Sequence, residues 1–517
     1  MRILLCILVF LAGLSPLLTF TRLFQVKEWR WDRLREHLRR EGWFRQLFGL
    51  VRPMVVATGI ITFFILQIFE TTKEYAWIAL WSSAGLLAWF TLFRFVVGRQ
   101  IRPVWTKKAM LECFLSSLLY ATALRVLGIW FENPFVLVAL TVLPLVIFLF
   151  VFFAWLLLKP LDRLLKRRIL ARARAVRSKL KNLAVIGITG SVGKTTTKEL
   201  LAHILSDREI LATPAHVNTE MGVADLMIKK LTDAAQIFIV EMGAYSRGEI
   251  KLLCSLVQPH IGIITYIGRQ HLGLFGSQED LCHAKGELFE ALPPEGHAFL
   301  NADVTFCEHL MSRAPCPVQT VGTGGHATHE AFDIQEHPDG ISFTLRGTPF
   351  KVPILGTHQV TNVLLAVAAA ETLGVPLVES AKRLTTFKAP AQTFERKEGA
   401  SGQVLLDDTH NASPESFRAA IEWARTNSAK KKILITSGLL ELGKGEGGIH
   451  QELGLLARDV FQEVLFLNKK CVRNFEQGYG HPVRIAPKKK FSLAVEKDML
   501  IVCVGRMPET IIERLLS

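Results

Sequence analysis

Gly190, Gly193, Lys194 and Thr195 stand together after the apolar run Leu183–Thr189 and before the helix-forming segment Lys198-Glu199-Leu200-Leu201. Glycines let backbone N–H groups approach phosphate oxygens, and the first turn of a helix adds a favourable dipole. In the loop Gly190-Ser191-Val192-Gly193-Lys194-Thr195-Thr196, Lys194 is positioned to reach the β- and γ-phosphates of a nucleotide and the Thr195 hydroxyl to ligate Mg²⁺. The pattern departs from G-x-x-x-x-G-K-[ST], because Ile188 stands where the first glycine belongs, between Gly187 and Gly190. Strand, glycine turn and helix in this order point to phosphate chemistry all the same.

Three further groups stand at the ends of apolar, strand-like runs. Glu241 follows Gln236–Val240, His271 follows Ile261–Tyr266, and Asp408 follows Val404–Leu406. Strand ends are where open α/β sheets collect binding groups, although a solvated carboxylate or a structural histidine is equally ordinary there. Lys285 lies on the helix expected over Gln278–Leu292, where a plain surface lysine would also fit.

The loop Thr189-Gly190-Ser191-Val192-Gly193-Lys194-Thr195-Thr196 resembles the T-G-x-x-G-K-T-T loop of the Mur ligases, which departs from the generic pattern in the same way. Further likenesses follow in the family's order. They are Asn218-Thr-Glu220-Met-Gly222-Val223, Glu241-Met-Gly243-Ala244 through Gly248-Glu249-Ile250, and His271-Leu272 with Phe275-Gly276-Ser277. Ala284-Lys285-Gly-Glu287, Gly356-Thr-His358-Gln-Val-Thr-Asn362 and Asp407-Asp408-Thr-His410-Asn411-Ala-Ser413-Pro414 complete the set. The resemblance runs from about Leu183 to the C-terminus, and its wording is nearest to the members that add D-alanyl-D-alanine to a peptidoglycan precursor.

The resemblance implies ATP-driven joining of a carboxylate to an amine through an acyl phosphate, with ATP and Mg²⁺ required. It implies ATP contacts from Gly190 to Thr196, His358, Asn362, Arg396 and Asp408, and substrate contacts from Asn218, Glu220, His410, Asn411 and Ser413. Metal ions would fall to Thr195, Glu241, His271 and a carbamylated Lys285, with Lys194, His271 and Lys285 as the catalytic set. Gln359, Glu395, His410 and Ser413 depart from the family's commoner residues, and Val504-Gly505-Arg506-Met507 replaces its K-G-S.

The elements that must position these residues make an α/β protein behind an apolar first third. The chain has 517 residues and a net charge of +15, with a mean hydropathy of +0.29 that is concentrated before residue 159. Five spans are expected, near Ile3–Phe20, Met54–Phe69, Tyr75–Val97, Leu111–Phe131 and Pro134–Leu158. Arg22 to Arg45 and Arg99 to Lys108 are basic connections, which by the positive-inside rule sets the N-terminus outside and the C-terminus in the cytoplasm. A cleaved signal peptide is the competing reading of the first segment, and it would leave Arg22–Arg52 outside, against the charge bias. Arg22–Arg52, with Trp29, Trp31, Trp43 and Phe44, reads as a helix in the headgroup layer, and Arg125 as an intramembrane charge, functional or snorkelling.

The expected organisation is a transmembrane region over 1–158, a basic connector over 159–182, an ATP-binding central domain over 183–395 and a smaller doubly wound domain over 396–517. The basic residues cluster beside apolar segments, so their partner is the bilayer and not nucleic acid. The eight cysteines form no C-x-x-C pair, which argues against a zinc knuckle or dithiol site. Membrane segments occupy the place of the family's UDP-sugar domain. The expected substrates are therefore a UDP-linked or lipid-linked muropeptide and an amino acid or dipeptide, at a multi-pass cell-membrane protein. Alternatives are a membrane ligase making another amide polymer, of poly-γ-glutamate type, and a non-catalytic nucleotide-binding membrane protein.

Overall fold

The computed structural model describes residues 2–517 except 70–74, 131–132, 269–274, 276, 305, 411, 440–441, 443–444, 487–490 and 492. The chain divides into two compact units, Met1–Arg167 and Arg168–Ser517.

In the first unit, the helices spanning Ile3–Val26, Val51–Ile68, Ala76–Val96 and Lys107–Ile129 are long and apolar enough to cross a membrane. The fifth expected span is not one helix. Pro134–Val142 and Ile147–Arg177 meet at a bend of 71°. Pro144 lies in that break; it has no N–H to donate, and its ring collides with the carbonyl one turn back. Two polar side chains inside this bundle bond to backbone carbonyls, the partners that an apolar surrounding offers. The Tyr120 hydroxyl donates to the Val9 carbonyl at 2.8 Å, and the Gln100 amide to that of Ser15 at 3.1 Å. The basic segment forms two short helices, Trp31–Glu41 and Trp43–Leu47, broken at Gly42, and leaves Trp43 and Phe44 exposed. Arg125 lies on the exposed side of its helix.

The second unit begins within the long helix Ile147–Arg177, whose end is tied down by Arg177. That guanidinium donates to the carbonyls of Val257, at 2.7 Å, and Leu180, at 2.6 Å. Beyond it, continuous apolar runs form strands buried on both faces, the pattern of a parallel sheet between helices. The first sheet has nine strands: β1 (Ala184–Thr189), β2 (Ile210–Ala212), β3 (Ile237–Glu241), β4 (Ile261–Ile264), β5 (His297–Asn301), β6 (Val318–Gly322), β7 (His329–His337), β8 (Gly340–Leu345) and β9 (Thr348–Val352). Their order is β2-β3-β1-β4-β5-β6-β7-β8-β9, parallel as far as β7 and antiparallel through β8 and β9. Strand alternation splits the side chains between two cores. Ile186, Ile188, Ile237 and Ile239 join one core with the helices Lys194–Ile204 and Val360–Thr372. Val185, Phe238 and Val240 join the other, with Glu249–Val257 and Gln278–Glu290.

The second sheet has six strands: β10 (Glu395–Glu398), β11 (Val404–Asp408), β12 (Lys431–Thr436), β13 (Glu463–Phe466), β14 (Arg484–Ile485) and β15 (Met499–Val504). Their order is β10-β11-β15-β12-β13-β14, and β10 alone among them runs antiparallel. In the first sheet β1 lies between β3 and β4, so the chain leaves it toward one side first and reaches the other side later. The loop after β1 thus opens at a topological switch point, the crevice where open α/β sheets bind ligands.

Candidate active site

Two glycines let the loop after β1 lie flat against its neighbours. Gly193 has φ +87°, and a Cβ there would stand 2.3 Å from Asn362 Oδ1; at Gly190 it would stand 1.9 Å from Thr265 Oγ1. The Ser191 N–H donates to the Tyr266 carbonyl at 2.6 Å, and the Thr265 hydroxyl to that of Val192 at 2.5 Å, fixing the loop to the end of β4. Lys194 then starts its helix, so the loop delivers backbone donors and a helix N-terminus to one place.

Two lysines meet at this loop. Lys194 Nζ donates to the carbonyls of Gly190 and Ser191 at 2.8 and 3.0 Å, and Lys285 Nζ donates to the same Gly190 carbonyl at 2.7 Å. Burial lowers the basicity of both. Glu241 opposes the effect at Lys194, whereas the Lys194 charge adds to it at Lys285, which falls well below the ordinary lysine range.

Glu241, at the end of β3, collects the remaining polar groups. Its carboxylate accepts from the Thr195 hydroxyl at 2.9 Å and from the Asn218 amide at 3.3 Å. Lys198, wholly buried, pairs with it at 3.6 Å and donates to the Thr213 carbonyl at 2.7 Å. Among the described residues no three His, Cys, Asp or Glu side chains cluster as a metal cage. One carboxylate with a threonine hydroxyl fits Mg²⁺, which keeps several waters and takes substrate phosphates as its other ligands. Glu287 serves the scaffold: its carboxylate accepts the Gly248 and Lys251 N–H groups at 2.6 and 2.9 Å, holding the start of helix Glu249–Val257.

The other end of the cleft is drier. The His358 ring packs on Phe394 with centroids 5.0 Å apart, and burial lowers its pKa to about 4, so it is a neutral imidazole near pH 7. Asn362 donates to Gln359 Oε1 at 2.7 Å and accepts from the Thr197 hydroxyl at 3.3 Å. Burial is the largest influence on Asp408 and raises its pKa to about 6, against hydrogen bonds from Ser416 and the Phe394 backbone. A raised carboxyl pKa favours the protonated folded state, so that stability is complete below the unfolded value near 4 and is lost as pH rises through about 6. Asp408→Asn removes the charge, and is expected to raise unfolding stability at pH 8 by on the order of 1–3 kcal/mol, the gain vanishing toward pH 4. Denaturant titrations at the two pH values check this; a gain that is equal at both contradicts it.

Together these groups line a cleft of about 350 Å³, closed on one side by the loop after β1 and on the other by Asp408, His410 and Arg506. Gly190 to Thr196, Asn218, Glu241, Lys285, His358, Asn362, Asp408 and His410 all stand in its wall. Three of the expected residues do not. Arg396 pairs with Glu398 at 2.6 Å, Glu220 opens the helix Glu220–Lys230, and Ser413 is a buried N-cap accepting the Ser416 N–H at 3.1 Å. His271 and Asn411 lie outside the described residues. Lys198, His216 and Arg506 are additions that sequence reasoning did not single out. Arg506 follows the end of β15, beside β11, and the strand-end rule applied to Asp408 would have found it.

Residues 188–370 match the Mur ligase middle domain. The chain carries a Mur ligase middle domain. It is 32% identical over 305 residues to the UDP-N-acetylmuramoyl-tripeptide–D-alanyl-D-alanine ligase of Bacillus subtilis, covering 57% of this chain and 66% of that protein. The Escherichia coli protein of the same name is 30% identical, covering 53% of this chain and 62% of that one. The chain thus spans somewhat less than two thirds of the length of these curated relatives. Its fold is similar to that of MurF from Acinetobacter baumannii, with a TM-score of 0.62 and 26% identity over 68% of this chain and 80% of that one. MurF from Thermotoga maritima, solved in complex with ADP, gives 0.58 and 25% over 67% and 82%. The apolar helices before the Mur ligase middle domain fit an added region.

Proposed function

We propose that this chain is an ATP-dependent, ADP-forming ligase that joins the carboxylate of a peptidoglycan precursor to an amine, as its D-alanyl-D-alanine-adding relatives are named for doing. The convergence of Lys194, Lys285 and the Thr195–Glu241–Asn218 group at one end of the cleft carries this reading. That end offers cations and hydrogen-bond donors, which suits a reaction whose charge builds on phosphoryl and then carbonyl oxygens.

The substrate carboxylate attacks the γ-phosphorus of ATP, and ADP leaves. The amine then attacks the carbonyl carbon of the acyl phosphate; the C–N bond forms, the C–O bond breaks, and phosphate departs with the electron pair. Lys194 meets the phosphoryl oxygens, and His358 and Asn362 stand on the side of the nucleotide base. Thr195 and Glu241 would hold Mg²⁺, with carbamylated Lys285 and His271 for a second ion. Bound there, the metal neutralises phosphate charge and acts as a Lewis acid.

In this reading the protein is a multi-pass protein of the cell membrane with its ligase unit on the cytoplasmic side; the apolar helices and the basic connections Arg22 to Arg45 and Arg99 to Lys108 support it. The test uses the full chain in detergent, with Mg²⁺-dependent release of ADP and phosphate as readout. A UDP-muramoyl-tripeptide with D-Ala-D-Ala and a polyprenyl-linked precursor with an amino-acid panel are offered in parallel. Turnover with either supports a ligase and selects its substrate; none above a Lys194→Ala control with both overturns the reading.

A further inference from the structure

A second hollow, about 970 Å³, adjoins the nucleotide cleft. Thr195, Ala215, His216, Thr393 and His410 line both, so they form the passage between them. Thr195 marks the phosphate end of the cleft through its bond to Glu241. The hollow therefore opens onto the place where an acyl phosphate forms.

Two imidazoles stand at that opening, brought there from opposite sides. His216 comes from the loop after β2 and His410 from the loop after β11, 194 residues later. Their rings stack with centroids 4.7 Å apart and planes 26° apart, and their Nε2 atoms are 3.3 Å apart. His216 holds φ +65°, a conformation that costs energy for a residue with a Cβ and persists where the surroundings enforce it. The strained backbone aims its ring at His410.

We propose that the His216–His410 pair accepts the proton that the incoming amine must lose, and that the adjoining hollow is the amine's entrance. This rests on the ligase reading above. An amino acid or dipeptide arrives as an ammonium ion, with no lone pair to attack a carbonyl. Its proton passes to an imidazole nitrogen, its lone pair forms the C–N bond, and phosphate leaves with the electrons of the broken C–O bond. The second N–H proton goes to solvent.

The pair suits that task in either tautomer. With one proton between the Nε2 atoms, the ring that donates it carries an unprotonated Nδ1, which is the accepting atom. Burial, then His216 and Arg506, hold His410 below the ordinary imidazole range against the pull of Glu241, so it is neutral and receptive at pH 7. The other charged or titratable groups around the hollow are His203, Glu199 and Lys388; His203 is bonded to the Arg383 carbonyl at 2.9 Å, and Glu199 pairs with Lys198. Asp408 lines the cleft and not the hollow.

The test compares two acceptors of the same acyl group in the full-length protein. Hydroxylamine is uncharged at neutral pH and traps an acyl phosphate as a hydroxamate without needing a base. His216→Phe and His410→Phe keep a ring at the passage. Each is expected to lower turnover with the amine substrate by about 100-fold or more beyond any loss of hydroxamate formation. Their residual amine turnover should climb with pH up to the amine's own pKa, where the unmodified protein has already levelled off. Retained amine turnover, or equal loss of both reactions, overturns the proposal. Absence of hydroxamate in the unmodified protein overturns the ligase reading and the proposal with it, whereas failure of the pair alone leaves hydroxamate formation intact.

Discussion

Lys285→Ala is expected to lower ADP release by about 10²–10³-fold, the scale of losing a charge-stabilising group, and added formate or acetate to restore part of it. The side chain is 2% exposed, and its amine donates to the Gly190 carbonyl inside the nucleotide loop. Burial and the neighbouring Lys194 charge favour the uncharged amine, which is the form that reacts with carbon dioxide. The amine lone pair bonds to carbon, a proton leaves, and an anionic carbamate results. A buried, uncharged amine beside a cationic lysine thus ends as a carboxylate-like ligand for Mg²⁺. Steady-state assays with and without the short carboxylate measure this; full activity in the alanine variant would contradict it.

Glu241→Gln is expected to abolish Mg²⁺-dependent turnover, with a loss of about 10³-fold or more. Thr195, Asn218 and Lys198 all address this carboxylate. The substitution also leaves buried Lys198 with Glu199, at 3.2 Å, as its remaining acidic partner. Removing one member of a buried pair typically costs about 3–5 kcal/mol, and the half-exposed Glu199 brings the expected penalty below that. Adding Lys198→Met removes the stranded charge. The double variant should therefore regain thermal stability while remaining inactive. Stability and activity recovering together would mean that Glu241 serves the fold and not the reaction.

The strands that carry the site were legible because each is a continuous apolar run. The run Gln236–Val240 corresponds to β3, and Val404–Leu406 to β11. The β7–β9 extension was not legible. β7 is largely polar and exposed, and its register shifts between Phe332 and Gln335, so no alternation marks it. The expected fifth span read as one run because hydropathy counts Pro144 as one residue among many, whereas the backbone bends there. Motif order led to the loop, Glu241 and Lys285. Lys198 was hidden because a lysine on a helix ordinarily points to water, and its burial depends on how the helix packs. The His216–His410 pair was hidden for a different reason: only the packing of the two sheets' loops brings such distant residues together.

The most direct test of the central claim follows an oxygen atom. The precursor carboxylate is labelled with ¹⁸O, the full chain is given ATP, Mg²⁺ and the amine, and the released phosphate is analysed by mass spectrometry. Attack of the carboxylate on the γ-phosphorus followed by amine displacement moves one labelled oxygen into each phosphate, with ADP as the other product. Phosphate free of label, or label in AMP, would contradict the account.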